Sequence, residues 1–135
     1  MIKFREDFRP FAASILANRV GDLFMNPAAS PYMSEVFHLK KELKGLYPAT
    51  THLDGTTRLQ TVSLESNPLF YKLISEFEKL SGVPMVLNTS LNQQEPIVCT
   101  PQDAIHCYKN SGLDALFLGK YLAQKCPESK LPTTS

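Results

Sequence analysis

Val83-Pro84-Met85-Val86-Leu87-Asn88-Thr89-Ser90-Leu91-Asn92 passes from a short apolar run into a row of small polar side chains. The apolar part reads as a strand. It follows a segment of helical period, in which Leu69, Phe70, Leu73, Ile74, Phe77 and Leu80 form one apolar stripe. Asn67 stands at the N-cap of that helix, Pro68 at its first position, and Ser81-Gly82 closes it. Interleaved helices and strands place the chain in the α/β class. If the strand runs on to Asn92, side-chain alternation puts Asn88, Ser90 and Asn92 on one face. Open α/β sheets bind ligands at strand ends. Amide and hydroxyl groups there suit a phosphate oxygen or an amide-like group. The plainer reading is a polar exit from a strand. Asn88-Thr89-Ser90 also fits a glycosylation sequon, which a buried strand would not present.

Working outward, residues 11–16 read as strand and residues 17–24 as a short helix with Val20, Leu23 and Phe24 inward. Asn26-Pro27 and Ser30-Pro31 mark a loop, and residues 36–39 a strand. Residues 49–53 and 57–62 are rich in β-branched side chains, with Asp54-Gly55 between them. That pattern predicts a hairpin, since a tight hairpin turn needs positive φ. An antiparallel hairpin beside helix–strand units implies a mixed sheet. Thr100-Pro101-Gln102-Asp103 predicts a capped helix start, and residues 116–119 a last short strand. Residues 127–135 are polar with little to bury, which predicts a frayed tail after a domain spanning residues 1–126.

Composition narrows the possible functions. The chain has 135 residues and a net charge of +1, enough to bury a core but without a global pull toward nucleic acid or anionic membrane. No apolar run approaches the ~20 residues of a bilayer span. Charges crowd the first residues, where a signal peptide would be apolar, so the expected location is cytoplasmic. Three cysteines without a Cys-x-x-Cys pair argue against a disulfide framework or structural zinc.

The basic candidates are local. Lys3, Arg5 and Arg9 lie in one stretch, with Lys3 and Arg5 on the same face. Arg58 follows the Asp-Gly turn in a threonine-rich strand. Arg grips phosphate as a planar fork and Lys as a point charge. Against this stand a solvated basic edge and a surface Arg58 paired with a carboxylate. Cys99 precedes a helix N-cap, where a thiolate is stabilised, and a cysteine-dependent amidase is the corresponding alternative. His52 and Asp54 are an alternative acid–base pair, but a turn explains Asp54 as well.

Three blocks carry a resemblance. They are residues 3–12 (KFREDFRPFA), 51–61 (THLDGTTRLQT) and 87–101 (LNTSLNQQEPIVCTP). Together they resemble the C-terminal region of O-carbamoyltransferases, which modify nodulation factors and antibiotics. The resemblance runs from Lys3 to about Leu122. It implies a YrdC-like domain, a twisted open mixed sheet with flanking helices. It also implies ATP (with Mg2+) and carbamoyl phosphate as substrates, and carbamoyl adenylate as the product passed to a hydroxyl on an N-terminal acceptor lobe.

The family's Lys-x-Arg and Ser-x-Asn motifs match Lys3-Phe4-Arg5 and Ser90-Leu91-Asn92. The resemblance therefore implies substrate binding by Lys3, Arg5, Arg9, Arg58, Asn88, Ser90 and Asn92, with Lys3, Arg58 and Ser90 catalytic. Fixed cations would neutralise the phosphates, and neutral donors would orient the carbamate. An arginine-bearing block usual upstream of the Lys-x-Arg motif, and the acceptor lobe, have no counterpart in these residues. The expectation is thus a chain incomplete as an isolated enzyme, working with a partner lobe. The alternative is a non-catalytic remnant or split subunit that binds nucleotide or a partner protein.

Overall fold

The computed structural model describes residues 10–93 and 95–125. Lys3, Arg5 and Arg9, and the tail from residue 127, lie outside the described residues. The chain divides into two compact units between Thr89 and Ser90.

The first unit is built on a five-stranded sheet. Its elements are β1 (Ala12–Leu16), a 3-10 turn (Ala17–Arg19), α1 (Val20–Leu23), β2 (Phe24–Met25), β3 (Val36–Leu39), a second 3-10 turn (Lys41–Leu43), β4 (Thr56–Val62), α2 (Pro68–Ser81) and β5 (Met85–Asn88). The strand order is β2-β3-β4-β1-β5. β1 and β4 run parallel, whereas β2–β3, β3–β4 and β1–β5 are antiparallel. The mixed α/β sheet expected from the sequence is present.

β1 is buried along its whole length because it has a strand on either side and packing on both faces. Ala13, Ile15, Leu59 and Met85 meet Val20, Leu23, Phe24, Phe37 and Leu39 on one face. There Phe24 and Phe37 pack edge to face, with ring centroids 6.2 Å apart. On the other face Leu16 and Val62 pack beneath Ile74, with Phe70, Tyr71 and Val86 around them.

α2 begins and ends as its sequence requires. The Asn67 side chain accepts from the Phe70 N–H at 3.2 Å, and Gly82 closes the helix at φ +74°. Its apolar stripe is not all core, however. Ile74 is fully buried, but Leu73 is 53% exposed and Leu69 and Leu80 more so. The helix presses on the sheet along the line of Phe70, Tyr71 and Ile74. Leu69, Leu73 and Leu80 lie outside that line of contact, and Phe77 lines a hollow with Val83 and Met85.

The hairpin at Asp54-Gly55 is also corrected. Residues 49–53 are turns and irregular chain, not a strand. The reversal is a three-residue loop: the Gly55 N–H bonds the His52 carbonyl at 2.9 Å, the His52 N–H bonds the Thr56 carbonyl at 2.8 Å, and Gly55 takes φ +83°. β4 already has β3 on one edge and β1 on the other, which leaves no edge for a further arm. Phe24, expected to be helical, instead pairs with Leu39 in the sheet.

In the second unit, α3 (Pro101–Asn110) precedes a hairpin of β6 (Ala115–Leu118) and β7 (Tyr121–Gln124). The Thr100 hydroxyl accepts from the Asp103 N–H, and the Asp103 carboxylate accepts from the Thr100 N–H at 2.9 Å, the reciprocal cap expected from the sequence. Ala104, Tyr108 and Leu116 form its core, joined by Leu91, Val98, Leu113 and Leu118. β7 went unread because its four residues are all exposed and carry no apolar alternation. The readable signal was Gly119, which turns the chain at φ +59°. No helix among the described residues is long and apolar enough to cross a membrane.

Candidate functional site

Strand register builds the site. Ser14 lies beside Gln60 across β1–β4, and Ala12 beside Asn88 across β1–β5. Extending the β1–β4 register by one residue sets Ala12 beside Arg58. Neighbours in register point to the same face. Arg58, Ala12 and Asn88 therefore form one row over three strands, with the small Ala12 in the middle. Two strand spacings separate Arg58 from Asn88, about 10 Å between Cα atoms.

The next row is polar and closely bonded. The Ser14 hydroxyl donates to Gln60 Oε1 at 2.8 Å. Asn88 Nδ2 donates to Ser14 Oγ and to Gln60 Oε1, both at 2.8 Å. Gln60 Nε2 donates to the Pro31 carbonyl at 3.3 Å. That carbonyl is held in place because Ser30 is anchored on β4: the Thr61 N–H bonds the Ser30 carbonyl at 2.9 Å, and the Ser30 N–H bonds Thr61 Oγ1 at 2.8 Å. Ser14 is fully buried, so these bonds satisfy a hydroxyl that would otherwise be costly to bury.

Arg58 is exposed and makes no ion pair among the described residues. Its partner across β3–β4 is Val36, not a carboxylate. With Ala12, Val36, Thr56 and their neighbours it lines a hollow of about 330 Å³. The hollow sets the Arg58 cation, unpaired among the described residues, beside the methyl-sized Ala12, and the Asn88 amide stands beyond Ala12 in the same row, outside the hollow's lining. Such a row can hold an anion that also carries a hydrogen-bonding end.

Asp54 does no comparable work. Thr56 hydroxyl and backbone N–H bonds, at 2.7 and 2.8 Å, hold its carboxyl below the usual carboxylate range. Those bonds mark a turn residue rather than half of an acid–base pair.

Ser90 and Asn92 belong to the second unit and do not extend β5, which ends at Asn88. The one-faced row expected of Asn88, Ser90 and Asn92 is not formed. Ser90 Oγ donates to Asn92 Oδ1 at 2.6 Å, and Asn92 Nδ2 donates to the Glu95 carbonyl at 2.8 Å. Leu91 between them packs into the Ala104–Tyr108–Leu116 core, and its carbonyl accepts from the Val98 N–H at 3.1 Å. Burial of that leucine takes precedence over strand continuation. Cys99 is exposed, and its thiol donates to the Ile97 carbonyl at 3.3 Å.

Of the residues singled out from the sequence, Arg58 and Asn88 share a row. Ser14, Gln60 and Ala12 were missed. Their signal was faint: Gln60 is the polar residue two places after Arg58, and Ser14 is a lone hydroxyl inside an apolar strand.

The family model described as "Carbamoyltransferase C-terminus" matches residues 1–125. Among curated proteins, an uncharacterized protein of Synechocystis, sll1178, is 40% identical over 92% of this chain. Nodulation protein NolNO of Sinorhizobium fredii is 40% identical over 93% of it, and nodulation protein NolO of Bradyrhizobium diazoefficiens 39% over 96%. The chain spans 24%, 19% and 24% of the length of these three relatives.

Proposed function

The chain belongs to the carbamoyltransferase C-terminus family, and from that membership we propose that it binds carbamoyl phosphate and ATP, as its Mg2+ complex, and supports formation of carbamoyl adenylate. Carbamoyl phosphate loses phosphate to water, leaving carbamate. A carbamate oxygen attacks the α-phosphorus of ATP, and pyrophosphate leaves. In-line attack at phosphorus asks mainly for positioning and charge neutralisation. Arg58 supplies charge, and Asn88 orients the carbamoyl end. Lys3, Arg5, Arg9, Ser90 and Asn92 keep the roles their motifs imply, with Lys3 and Ser90 acting in the chemical step. Transfer to the acceptor hydroxyl falls to the portion of the relatives that this chain does not span.

The observation that carries the proposal is the row Arg58–Ala12–Asn88, with its cation free of a carboxylate partner among the described residues. A purely structural arginine at this exposure would gain from a counter-ion. This one instead faces a hollow. The test is thermal unfolding with ATP, with carbamoyl phosphate, and with both. A ligand that binds only the folded chain raises its melting temperature, by about 2.7 kcal/mol of stability at a hundredfold excess over Kd. The expected outcome is a shift that Arg58→Ala abolishes. No shift with any ligand overturns the proposal.

A further inference from the structure

The bonds behind Asn88 also fix which way its amide faces. The Asn88 Nδ2 group faces inward, 2.8 Å from both Ser14 Oγ and Gln60 Oε1, and donates toward that pair. Its Oδ1 has no bond to any described residue and is not among the buried side-chain atoms left without a partner, so it opens outward.

The direction of this chain is not arbitrary. If Asn88 were turned round, its Oδ1 would meet Gln60 Oε1, and two acceptors would face each other. Turning Gln60 as well would repair that contact. It would then aim Gln60 Oε1 at the Pro31 carbonyl 3.3 Å away, which can only accept. The network therefore flips as a whole or not at all, and Pro31, pinned through Ser30 and Thr61, selects one state. Asn88 presents an acceptor, never a donor, to whatever lies over Ala12.

We infer that Asn88 is a specificity-determining residue that recognises an N–H donor on the substrate. On the proposed reading of the site, that donor is the amino group of the carbamoyl moiety. Gln60 and Ser14 are positioning residues, acting only through Asn88. Arg58 is indifferent to this choice, since it meets the phosphate end about 10 Å across the row. The site thereby distinguishes a carbamoyl anhydride from an acetyl anhydride of nearly the same shape. Acetyl phosphate carries a methyl where carbamoyl phosphate carries NH2, so it would leave the Asn88 acceptor desolvated and unpaired.

The experiment is calorimetric titration of the full chain with carbamoyl phosphate and with acetyl phosphate. Wild type is expected to prefer carbamoyl phosphate by about tenfold or more. Gln60→Met touches no ligand but frees the Asn88 amide to rotate, so the ratio should fall toward unity while acetyl phosphate binds as before. Asn88→Leu should erase the preference in the same way. Arg58→Gln should weaken both ligands by one factor and leave their ratio unchanged, whereas the change of ratio in Gln60→Met is the readout that a merely structural defect, which weakens both ligands alike, does not produce. Equal wild-type affinities overturn the inference while leaving the phosphate site standing, and need no variant to fold. A folded Gln60→Met chain that keeps the full preference also overturns it. Failure of wild type to bind either anhydride overturns the functional reading on which the inference rests.

Discussion

Ser14 and Leu16 project from the same face of β1, two residues apart, into opposite surroundings. Leu16 packs with Val62 beneath Ile74 of α2. Ser14 is as deeply buried, yet it is enclosed by the side chains of Gln60 and Asn88. The helix covers one end of the face, and polar cross-links close the other. An apolar side chain is stabilised by leaving water whatever its neighbours' orientation. A buried hydroxyl needs partners in fixed directions. The apolar end therefore tolerates approximate packing, whereas the polar end specifies side-chain orientation closely.

The largest expected effect tests the covered end. Ile74→Ala should cost about 2–5 kcal/mol in denaturant unfolding, as a core truncation. Leu73→Ala, one residue away on the half-exposed part of the stripe, should cost under about 1 kcal/mol. Equal losses would mean that the line of contact is wider than Phe70, Tyr71 and Ile74.

The polar end comes next. Ser14→Ala should cost about 1–3 kcal/mol by stranding one Asn88 donor. A double-mutant cycle of Ser14→Ala with Asn88→Leu should show that the two losses do not add. Additive losses would dissolve the network into independent contacts. Arg58→Ala should move unliganded stability by no more than about 0.5 kcal/mol, because it is exposed and makes no ion pair among the described residues. A melting point that falls far without ligand would make Arg58 structural and end the contrast between a bonded row and an open one.

The smallest effect belongs to acid. The Thr100 side chain and N–H, with the Cys99 N–H, hold the Asp103 carboxyl below the usual range, as Thr56 does for Asp54. A depressed folded-state pKa contributes stability above the unfolded value. That contribution is lost as pH falls through the folded value, so the window opens below about pH 4. Both carboxylates are fully exposed, which keeps the effect small. Unfolding midpoints should stay level from neutral pH to about 5 as far as these two groups are concerned. The decline below about 4 should be shallower in Asp103→Asn. An identical acid limb in that variant would remove the cap from the account.

Much of the fold could be read along the chain because its signals are local. Asn67-Pro68 and Gly82 delimit α2, and Thr100 and Asp103 start α3, through groups within four residues of each other. β1, β3 and β5 were found from short apolar runs. The errors fall where a distant partner decides. The 49–53 arm was refused because β3 and β1 had taken both edges of β4. β5 stopped at Asn88 because Leu91 is claimed by the second unit's core. Leu73 was misplaced because amphipathicity gives the direction of a stripe but not the width of what it meets.

For the candidate site, the sequence alone named Arg58 and Asn88 as expectations and, through resemblance, identified the family. That information lies in residue chemistry and spacing, which survive without coordinates. Only the tertiary structure decided that Arg58 and Asn88 share a row across Ala12, that Ser14 and Gln60 stand behind it, and that Asn88 turns its acceptor outward. These facts depend on strand register and on a carbonyl at Pro31, 29 residues from the glutamine it orients. A hydrogen bond of that sequence separation leaves no periodic trace in a chain, because neither partner's neighbours need to change for it to form.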